Sequence, residues 1–128
     1  MGTSVNRNDT LRHDPDCIFC RILAGEIPSD RVHEDEKVIA FKDLHPQAPV
    51  HVLVVPREHR RDVTELAEDP ALLAHVVDVA GRVSRELADG DFRLVFNTGE
   101  NAGQTVMHTH AHVLAGAGTI DESSTGEL

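Results

Sequence analysis

The sequence predicts an α+β fold with a largely antiparallel sheet. Several short segments either alternate apolar and polar residues or are rich in Val, as is typical of strands. One longer segment repeats its apolar residues every three or four positions, as is typical of an amphipathic helix. Because strand segments outnumber helical ones, the sheet is expected to form the body of the molecule.

The elements follow in order along the chain. A short helix is predicted over 17–24, ended by Gly25 and Pro28. The long helix starts at Asp69 and Pro70 and ends before Gly90, with apolar positions at Leu72, Val76, Val79, Ala80, Val83 and Leu87. Strands are predicted over 30–34, 38–42, 51–55, 92–97 and 106–114, and loops over 43–49 and 98–104.

The length of 128 residues predicts one domain, which we place at 16–118. Residues 1–15 are polar and contain Pro15, so they are predicted to form a flexible N-terminal arm. Residues 119–128 are predicted to form a flexible C-terminal tail. No linker, repeat or low-complexity segment divides the sequence.

The charge of the chain argues against some partners. Twenty-two acidic and 12 basic residues give a net charge of −10, which repels a nucleic-acid backbone but still permits a small nucleotide held by backbone N–H groups. No apolar run approaches the ~20 residues of a membrane helix. The N-terminus lacks the apolar stretch of a secretory signal, so the expected location is the cytoplasm, with no membrane partner.

Three of the nine histidines, His108, His110 and His112, alternate within one predicted strand. Their side chains would then point the same way, with neighbours about 7 Å apart. Neutral imidazole is a nucleophile toward phosphorus and a workable leaving group near pH 7. A metal-binding tract or a chance run is the alternative. His51 opens another strand after a Pro-rich loop, where it is either a site residue or a strand-end histidine bonded to solvent.

Three segments together resemble a known family. The run 108–114 is similar to the signature of the histidine triad family, in which three alternating histidines precede two apolar residues. Residues 41–51 and 97–105 resemble matching stretches of its purine-nucleoside phosphoramidase branch. The resemblance spans about residues 17–115 and keeps the motifs in the family's order.

The resemblance implies a five-stranded antiparallel sheet with one long and one short helix. It also implies a nucleotide hydrolase that acts on nucleoside 5′-phosphoramidates or related AMP derivatives through a covalent nucleotidyl-histidine intermediate. His110 would be the nucleophile, His112 and His51 would support charge and position, and His108 would orient the others or a metal.

The same resemblance implies a purine nucleotide site for AMP or GMP derivatives. Asp43 would bind the ribose, and Phe19, Ile22, Ile27 and Leu44 would line the base. Asn97, Gly103, Gln104 and Thr105 would surround the phosphate, together with His110 and His112. A Gly-Gln-Thr turn exposes N–H donors suited to a phosphoryl oxygen, although these residues and Asp43 are also ordinary turn residues.

A second group of candidate site residues is the pair of cysteines in Cys17-Ile18-Phe19-Cys20. On its own, such a pair is only a weak indication of a metal site. Members of the family that look similar here complete a structural zinc set with two histidines, which would be His59 and His108. The alternative is two reduced cysteines packed at a helix start. No role is predicted for His13, His33, His45 and His75, which are expected to face solvent.

Other functions remain open from the sequence. A dinucleoside polyphosphate hydrolase or a nucleotidyl transferase would share the triad. A nucleotide-binding regulatory protein and a histidine-rich metal-handling protein are alternatives of other classes.

The resemblance also implies a two-fold homodimer. An open sheet exposes an edge that pairing across a dyad would cover. We expect the interface to involve the long helix and the strand over 92–97 or its neighbour.

Overall fold

A five-stranded antiparallel sheet forms the centre of the protein, and the fold class predicted from the sequence is confirmed. The computed structural model describes residues 13–116. Apart from residues 13–15, the predicted N-terminal arm lies outside the described residues, and so does the predicted C-terminal tail.

The strands are β1 (Arg31–Glu34), β2 (Val38–Lys42), β3 (Val50–Pro56), β4 (Phe92–Val95) and β5 (Ala111–Ala115). Their order across the sheet is β1-β2-β3-β5-β4, so β1 and β4 are the edges. The helices are α1 (Ile18–Leu23), α2 (Val63–Leu66) and α3 (Pro70–Leu87), and a 3₁₀ turn covers Glu100–Ala102. The single turn α2 is absent from the sequence prediction. Within 13–116, no helix is long and apolar enough to span a membrane.

The long helix α3 covers one face of the sheet. The Asp69 side chain caps its first turn by accepting a hydrogen bond from the Leu72 N–H at 3.1 Å, and Pro70 occupies the first turn, where no N–H is needed. The buried side of α3 packs on alternate residues of the central strands, among them Val38, Ala40, Val52, Val54, Ala111 and Val113. This apolar layer is the larger part of the core.

The short helix α1 lies on the opposite face. Because side chains alternate along a strand, the residues between those just named point the other way. Ile39, Phe41, Leu53 and Val55 form a second apolar cluster with Cys17, Phe19, Cys20 and Ile22. The α1 face of the sheet is therefore separated from α3 by the full thickness of the sheet.

The last strand starts later than predicted. The sequence predicts a strand over 106–114, but β5 begins at Ala111 and residues 106–108 form a bend. Val54 pairs with Ala111, so Pro56 would face residue 109, and Pro56 has no N–H to continue the ladder. Thr109 instead donates to the Arg60 carbonyl from both its N–H (2.6 Å) and its hydroxyl (2.8 Å).

Candidate functional site

His51, His110 and His112 lie together on the α1 face of the sheet. His112 on β5 pairs with Leu53 on β3, and Leu53 packs in the α1 cluster, so both side chains point to that face. His51 lies two residues from Leu53 on β3 and shares its side, and the ring of His110, one residue before β5, packs against Phe19 of the same cluster. The ring centroids of His110 and His112 are 5.1 Å apart, and those of His51 and His112 are 5.2 Å apart.

A backbone contact determines which nitrogen carries the proton on each ring of the His51–His112 pair. The N–H of Gln47 donates to Nδ1 of His51 at 3.0 Å, so that nitrogen is an acceptor and the neutral ring carries its proton on Nε2. Nε2 of His51 lies 3.0 Å from Nδ1 of His112, to which it donates. His112 therefore carries its own proton on Nε2.

His110 has the opposite arrangement. Its Nδ1 lies 2.8 Å from the carbonyl oxygen of His108, which can only accept. The neutral His110 ring therefore carries its proton on Nδ1, and Nε2 presents a lone pair. The ring packs edge-on against Phe19 of α1, with centroids 4.9 Å apart.

Burial keeps these three rings neutral. It lowers the pKa of His51 and of His110, and it lowers the pKa of His112 to about 4. The neighbouring rings of His110 and His51 lower the pKa of His112 further, against an opposing effect of the Asp43 carboxylate. At neutral pH the three imidazoles are therefore uncharged, and the lone pair on Nε2 of His110 is available for chemistry.

Asp43 closes one side of this group. Its Oδ2 lies 3.5 Å from Nε2 of His51, and its Oδ1 accepts a hydrogen bond from the N–H of His45 at 2.8 Å. The N–H of Asp43 donates to the His51 carbonyl at 2.9 Å. Asp43, His51 and His112 thus present donor atoms within 4.8 Å of one another, a second group that could hold a metal ion.

His108 does not join the other two triad histidines. The expectation that three imidazoles follow one strand at equal spacing is wrong, because His108 lies in the bend before β5. Its Nδ1 lies 3.4 Å from Sγ of Cys17, 3.5 Å from Sγ of Cys20 and 3.1 Å from Nδ1 of His59. We call these four residues the Cys₂His₂ cluster.

The Cys₂His₂ cluster fits a tetrahedral metal ion. A zinc ion bonded at about 2.3 Å to sulfur and about 2.0 Å to nitrogen separates its ligand atoms by about 3.3 to 3.8 Å. The donor atoms given above are 3.1 to 3.5 Å apart, and Nδ1 of His59 is 3.4 Å from Sγ of Cys20. Nε2 of His108 donates to the Pro56 carbonyl at 2.8 Å, so its Nδ1 carries the lone pair that a metal needs.

Both sulfurs of the cluster accept hydrogen bonds from backbone N–H groups, as metal-bound thiolates commonly do. Sγ of Cys17 accepts the N–H of Cys20, and Sγ of Cys20 accepts the N–H of Asp14, both at 3.3 Å. Burial raises the pKa of the Cys20 thiol to about 12, so a cation must displace its proton. The four residues can hold a metal ion.

The residues predicted to contact a nucleotide are placed in two regions. Phe19 and Ile22 are buried in the α1 cluster and Ile27 packs against it, whereas Leu44, next to Asp43, is 89% exposed. Asn97, Gly103, Gln104 and Thr105 belong to the loop between β4 and β5. Gly103 has a positive φ of 96°, which suits glycine at the end of the 3₁₀ turn.

Gln104 holds this loop together. Its side-chain oxygen accepts from the N–H of Gly99 at 2.8 Å, and its amide nitrogen donates to the carbonyls of Arg61 at 2.7 Å and Val106 at 3.0 Å. The residue is only 3% exposed. Its amide is thus engaged inside the protein, and it shapes the loop rather than presenting a free group.

A third histidine arrangement lies outside this site, and no sequence pattern predicts it. Nε2 of His33 and Nε2 of His75 both donate to Oδ2 of Asp35, at 2.6 and 2.8 Å. The expectation that these two histidines face solvent is wrong for His33, whose side chain is 14% exposed. The bond from His75 joins the β1–β2 turn to α3, and the bond from His33 joins that turn to β1.

Comparison with known proteins gives a consistent result. Residues 24–119 match the HIT domain family. The chain is 48% identical over 103 residues to an uncharacterised HIT-like protein of Synechocystis sp., covering 79% of this chain and 90% of the relative. It is 39% identical over 102 residues to a purine nucleoside phosphoramidase of Escherichia coli, covering 77% of this chain and 86% of that protein.

Solved structures agree with these relatives. A HIT family hydrolase from Clostridium thermocellum is 41% identical and superposes with a TM-score of 0.79, covering 85% of this chain and 97% of that one. A histidine triad protein from Clostridium difficile is 39% identical with the same TM-score and coverage. The chain belongs to the HIT domain family.

Proposed function

We propose that this protein hydrolyses nucleoside 5′-phosphoramidates or related AMP derivatives through a covalent nucleotidyl intermediate on His110. The observation that carries the proposal is the hydrogen bond from Nδ1 of His110 to the His108 carbonyl, which leaves the lone pair on Nε2. The phosphoramidase relative and the HIT family hydrolase of known structure support a hydrolase of this type.

The chemistry has two steps. Nε2 of His110 attacks the α-phosphorus, the phosphorus–nitrogen bond of the substrate breaks, and the leaving amine takes up a proton. Water then attacks the same phosphorus, and the bond from phosphorus to Nε2 breaks and returns the electron pair to Nε2. The proton that this water releases replaces the one that the amine takes from solvent, so protons balance over the cycle. The His108 carbonyl stabilises the positive charge on the nucleotidyl-imidazole by accepting from its Nδ1–H.

The His51–His112 pair is proposed to act on the phosphoryl group. The Nε2–H of His112 is the outward end of the chain of hydrogen bonds that begins at the Gln47 N–H. A fixed N–H donor in a buried site stabilises the charge that develops on a phosphoryl oxygen. His51 is then the residue that keeps the His112 proton on Nε2.

The nucleotide is proposed to bind beside these rings. Asp43 would accept hydrogen bonds from the ribose hydroxyls, and the apolar side chains of Phe19, Ile22, Ile27 and Leu44 would contact a purine base. Asn97 and Thr105 would supply donors around the phosphate from a loop that Gln104 holds in shape. Gly103 would shape the turn beside the phosphate, because its own N–H donates to the Glu100 carbonyl at 3.0 Å.

The Cys₂His₂ cluster is proposed to hold a structural zinc ion, with Sγ of Cys17, Sγ of Cys20, Nδ1 of His59 and Nδ1 of His108 as ligands. Such an ion stabilises the folded chain because the ligands are brought together only by folding.

The direct test is to trap the intermediate. The protein is mixed with AMP-linked and GMP-linked phosphoramidates, quenched in alkali, and digested for mass spectrometry. We expect a nucleotidyl group on the peptide that contains His110 and none in His110→Ala, which should still bind AMP. Turnover without an adduct at His110 would contradict the covalent mechanism.

The same substrates separate the alternatives. Cleavage of dinucleoside polyphosphates without cleavage of phosphoramidates would indicate the polyphosphate hydrolase. Nucleotide binding without turnover of any member of the panel would indicate a regulatory protein.

A further inference from the structure

We propose that the Cys₂His₂ cluster positions the imidazole of His110, with His108 and Phe19 as the positioning residues. The part of this inference that concerns turnover rests on the function proposed above; the part that concerns the geometry of His110 does not. Two separate contacts connect the cluster to this ring, one through the backbone and one through a side chain.

The backbone contact runs through His108. Its side chain is fixed at both nitrogens, by the Pro56 carbonyl at Nε2 and by the cluster at Nδ1, and the residue is fully buried. The carbonyl oxygen of the same residue accepts the Nδ1–H of His110 at 2.8 Å. The same peptide unit is held at its other end by the Thr109 N–H, which donates to the Arg60 carbonyl at 2.6 Å. The His108 side chain and the loop after β3 therefore together fix the only acceptor that the described residues give to Nδ1 of His110.

The side-chain contact runs through Phe19, which lies between the two cysteines of the cluster in α1. Its ring meets the ring of His110 edge-on, with centroids 4.9 Å apart at 82°, and meets the ring of His108 at 6.0 Å and 76°. Phe41 of β2 lies behind it at 5.8 Å. Phe19 thus contacts both the cluster residue and the proposed nucleophile.

The position of α1 depends on the cluster. Helix α1 has six residues, too few to be stable alone, since isolated helices shorter than about 12 residues are marginal in water. Cys17 is its N-cap and Cys20 lies within it, so both sulfurs connect α1 to His59 and His108. A cation shared by the four donors joins α1, the loop after β3 and the bend before β5.

Loss of that ion should release the His110 ring. With the His108 side chain and the Phe19 ring released, the contacts that favour the proton on Nδ1 weaken, and the His110 ring becomes a mixture of its two neutral tautomers. Asp43, His51 and the loop over 97–105 are not among the ligands. Because Phe19 and Ile22, proposed above to contact the base, lie in α1, we expect nucleotide affinity to fall together with kcat, and the tautomer of His110 is the readout that identifies positioning.

Cys17→Ser is the informative variant, because serine still caps α1 through its oxygen while the thiolate is lost. Protein labelled with ¹⁵N in histidine is prepared with Zn²⁺, and the variant is treated with chelator. Zinc content, the ¹⁵N shifts of the His110 ring, AMP affinity and kcat are measured. We expect one tautomer with the proton on Nδ1 in the zinc-loaded protein, and a tautomer mixture with about 10- to 100-fold lower kcat in the variant.

Two controls separate positioning from general stability. Val79→Ala removes buried volume from α3 on the other face of the sheet, so it should lower Tm and leave the His110 spectrum unchanged. Phe19→Leu keeps the four ligands and should bind Zn²⁺ fully, yet change the His110 spectrum and lower kcat. This second variant keeps the test decisive if Cys17→Ser does not fold.

Zinc-free Cys17→Ser that is folded and retains the wild-type His110 spectrum would overturn the proposal, as would zinc-loaded Phe19→Leu with an unchanged spectrum. The spectrum also separates this inference from the proposed function, because it needs no substrate. If the tautomer changes in these variants but the wild-type protein hydrolyses none of the substrates, the positioning inference is supported and the proposed hydrolase function is rejected.

Discussion

Nε2 of His51 lies 3.0 Å from Nδ1 of His112, across the neighbouring strands β3 and β5. The Gln47 N–H on the far side of His51 gives this contact a direction, since it forces the donor role onto Nε2. The pair is therefore more than two neighbouring rings, because it determines which nitrogen of His112 carries a proton.

Removing His51 should disturb catalysis more than binding. His51→Phe retains a ring of similar shape but has no donor for Nδ1 of His112, so the proton of His112 is no longer held on Nε2. Positioned proton donors typically contribute about 10²- to 10⁴-fold, and we expect a loss of kcat near the lower end of that range. The exposed His45→Phe is the matched control in phosphoramidate turnover. An unchanged kcat in His51→Phe would rule out the proposed role of the pair.

The fall of kcat/KM at acidic pH should have its midpoint below the ordinary histidine pKa of about 6.5. Burial lowers the pKa of His110 and lowers that of His112 to about 4, so both rings keep their lone pairs as the pH falls past 6.5. A plot of kcat/KM against pH from 8 to 4 should stay level through about pH 6 and fall only below it. A midpoint at or above 6.5 would contradict neutral, buried rings.

The lowered pKa of His112 also makes the stability of the fold depend on pH. The folded pKa of His112 is below its unfolded value of about 6.5, so the unfolded chain binds more protons between these values. The contribution of His112 to the free energy of unfolding is therefore complete above pH 6.5 and is lost as the pH falls toward 4.

Alternation along the strands can be interpreted from the sequence alone, because it depends only on neighbouring residues. It places Val38 and Val54 on the α3 face and Leu53 on the other. The start of β5 could not be predicted in this way. Pro56 interrupts the ladder at residue 109 only once the register of β3 and β5 is known.

In the candidate site, too, some features can be predicted from the sequence and others depend on residues that are distant in the chain. Cysteine spacing and family resemblance predict that Cys17, Cys20, His59 and His108 lie together, and their donor atoms do lie close to one another in the fold. The bonds from His33 and His75 to Asp35 join residues up to 40 positions apart, and no local pattern marks them. The structural use of the Gln104 amide likewise depends on carbonyls of distant segments.

We expect the protein to bind one transition-metal ion per chain rather than two. Asp43, His51 and His112 form a second group of suitable donors, but Nε2 of His51 carries a proton that cannot move to Nδ1, which faces the Gln47 N–H. Co²⁺ titration followed by calorimetry should give one bound equivalent, and the thiolate charge-transfer band should saturate at that same equivalent. Cys17→Ser should abolish this equivalent and its band, and His112→Ala should leave both unchanged. A second equivalent that persists in Cys17→Ser and disappears in His112→Ala would contradict this tautomer assignment.

Asp35 should stabilise the fold away from the site. Partial burial raises its pKa, but hydrogen bonds from the His33 ring, two backbone N–H groups and the His75 ring outweigh this and hold the pKa well below its ordinary value. Asp35→Asn places an amide N–H₂ against ring donors and should cost about 1 to 3 kcal/mol in urea unfolding at pH 7. The pKa of Asp35 is lower in the folded than in the unfolded chain. The free energy of unfolding of wild type should therefore exceed that of Asp35→Asn above about pH 4, and this difference should shrink as the pH falls below about 4. Asp78→Asn, in an exposed ion pair with Arg82, is the control and should change little.

The chain is expected to form a two-fold homodimer through α3 and the edge strand β4. Val77 and Leu87 on α3 and Phe92 on β4 are large apolar side chains that remain 41%, 40% and 37% exposed, and β4 has an open edge. A second copy would cover both features at once. Light scattering at low micromolar concentration should give about twice the chain mass of 14.0 kDa.

The double variant Val77→Glu/Phe92→Glu tests where that interface lies. It adds four negative charges to a dimer whose chains each carry −10, so it should give a monomer. Ile18→Glu also places a charge on an exposed apolar residue, 47% exposed, but in α1 on the other face of the sheet, and it should leave the dimer intact. A wild-type mass near 14.0 kDa would rule out the dimer. A dimer that persists in the double variant, or separates in Ile18→Glu alone, would move the interface away from α3 and β4.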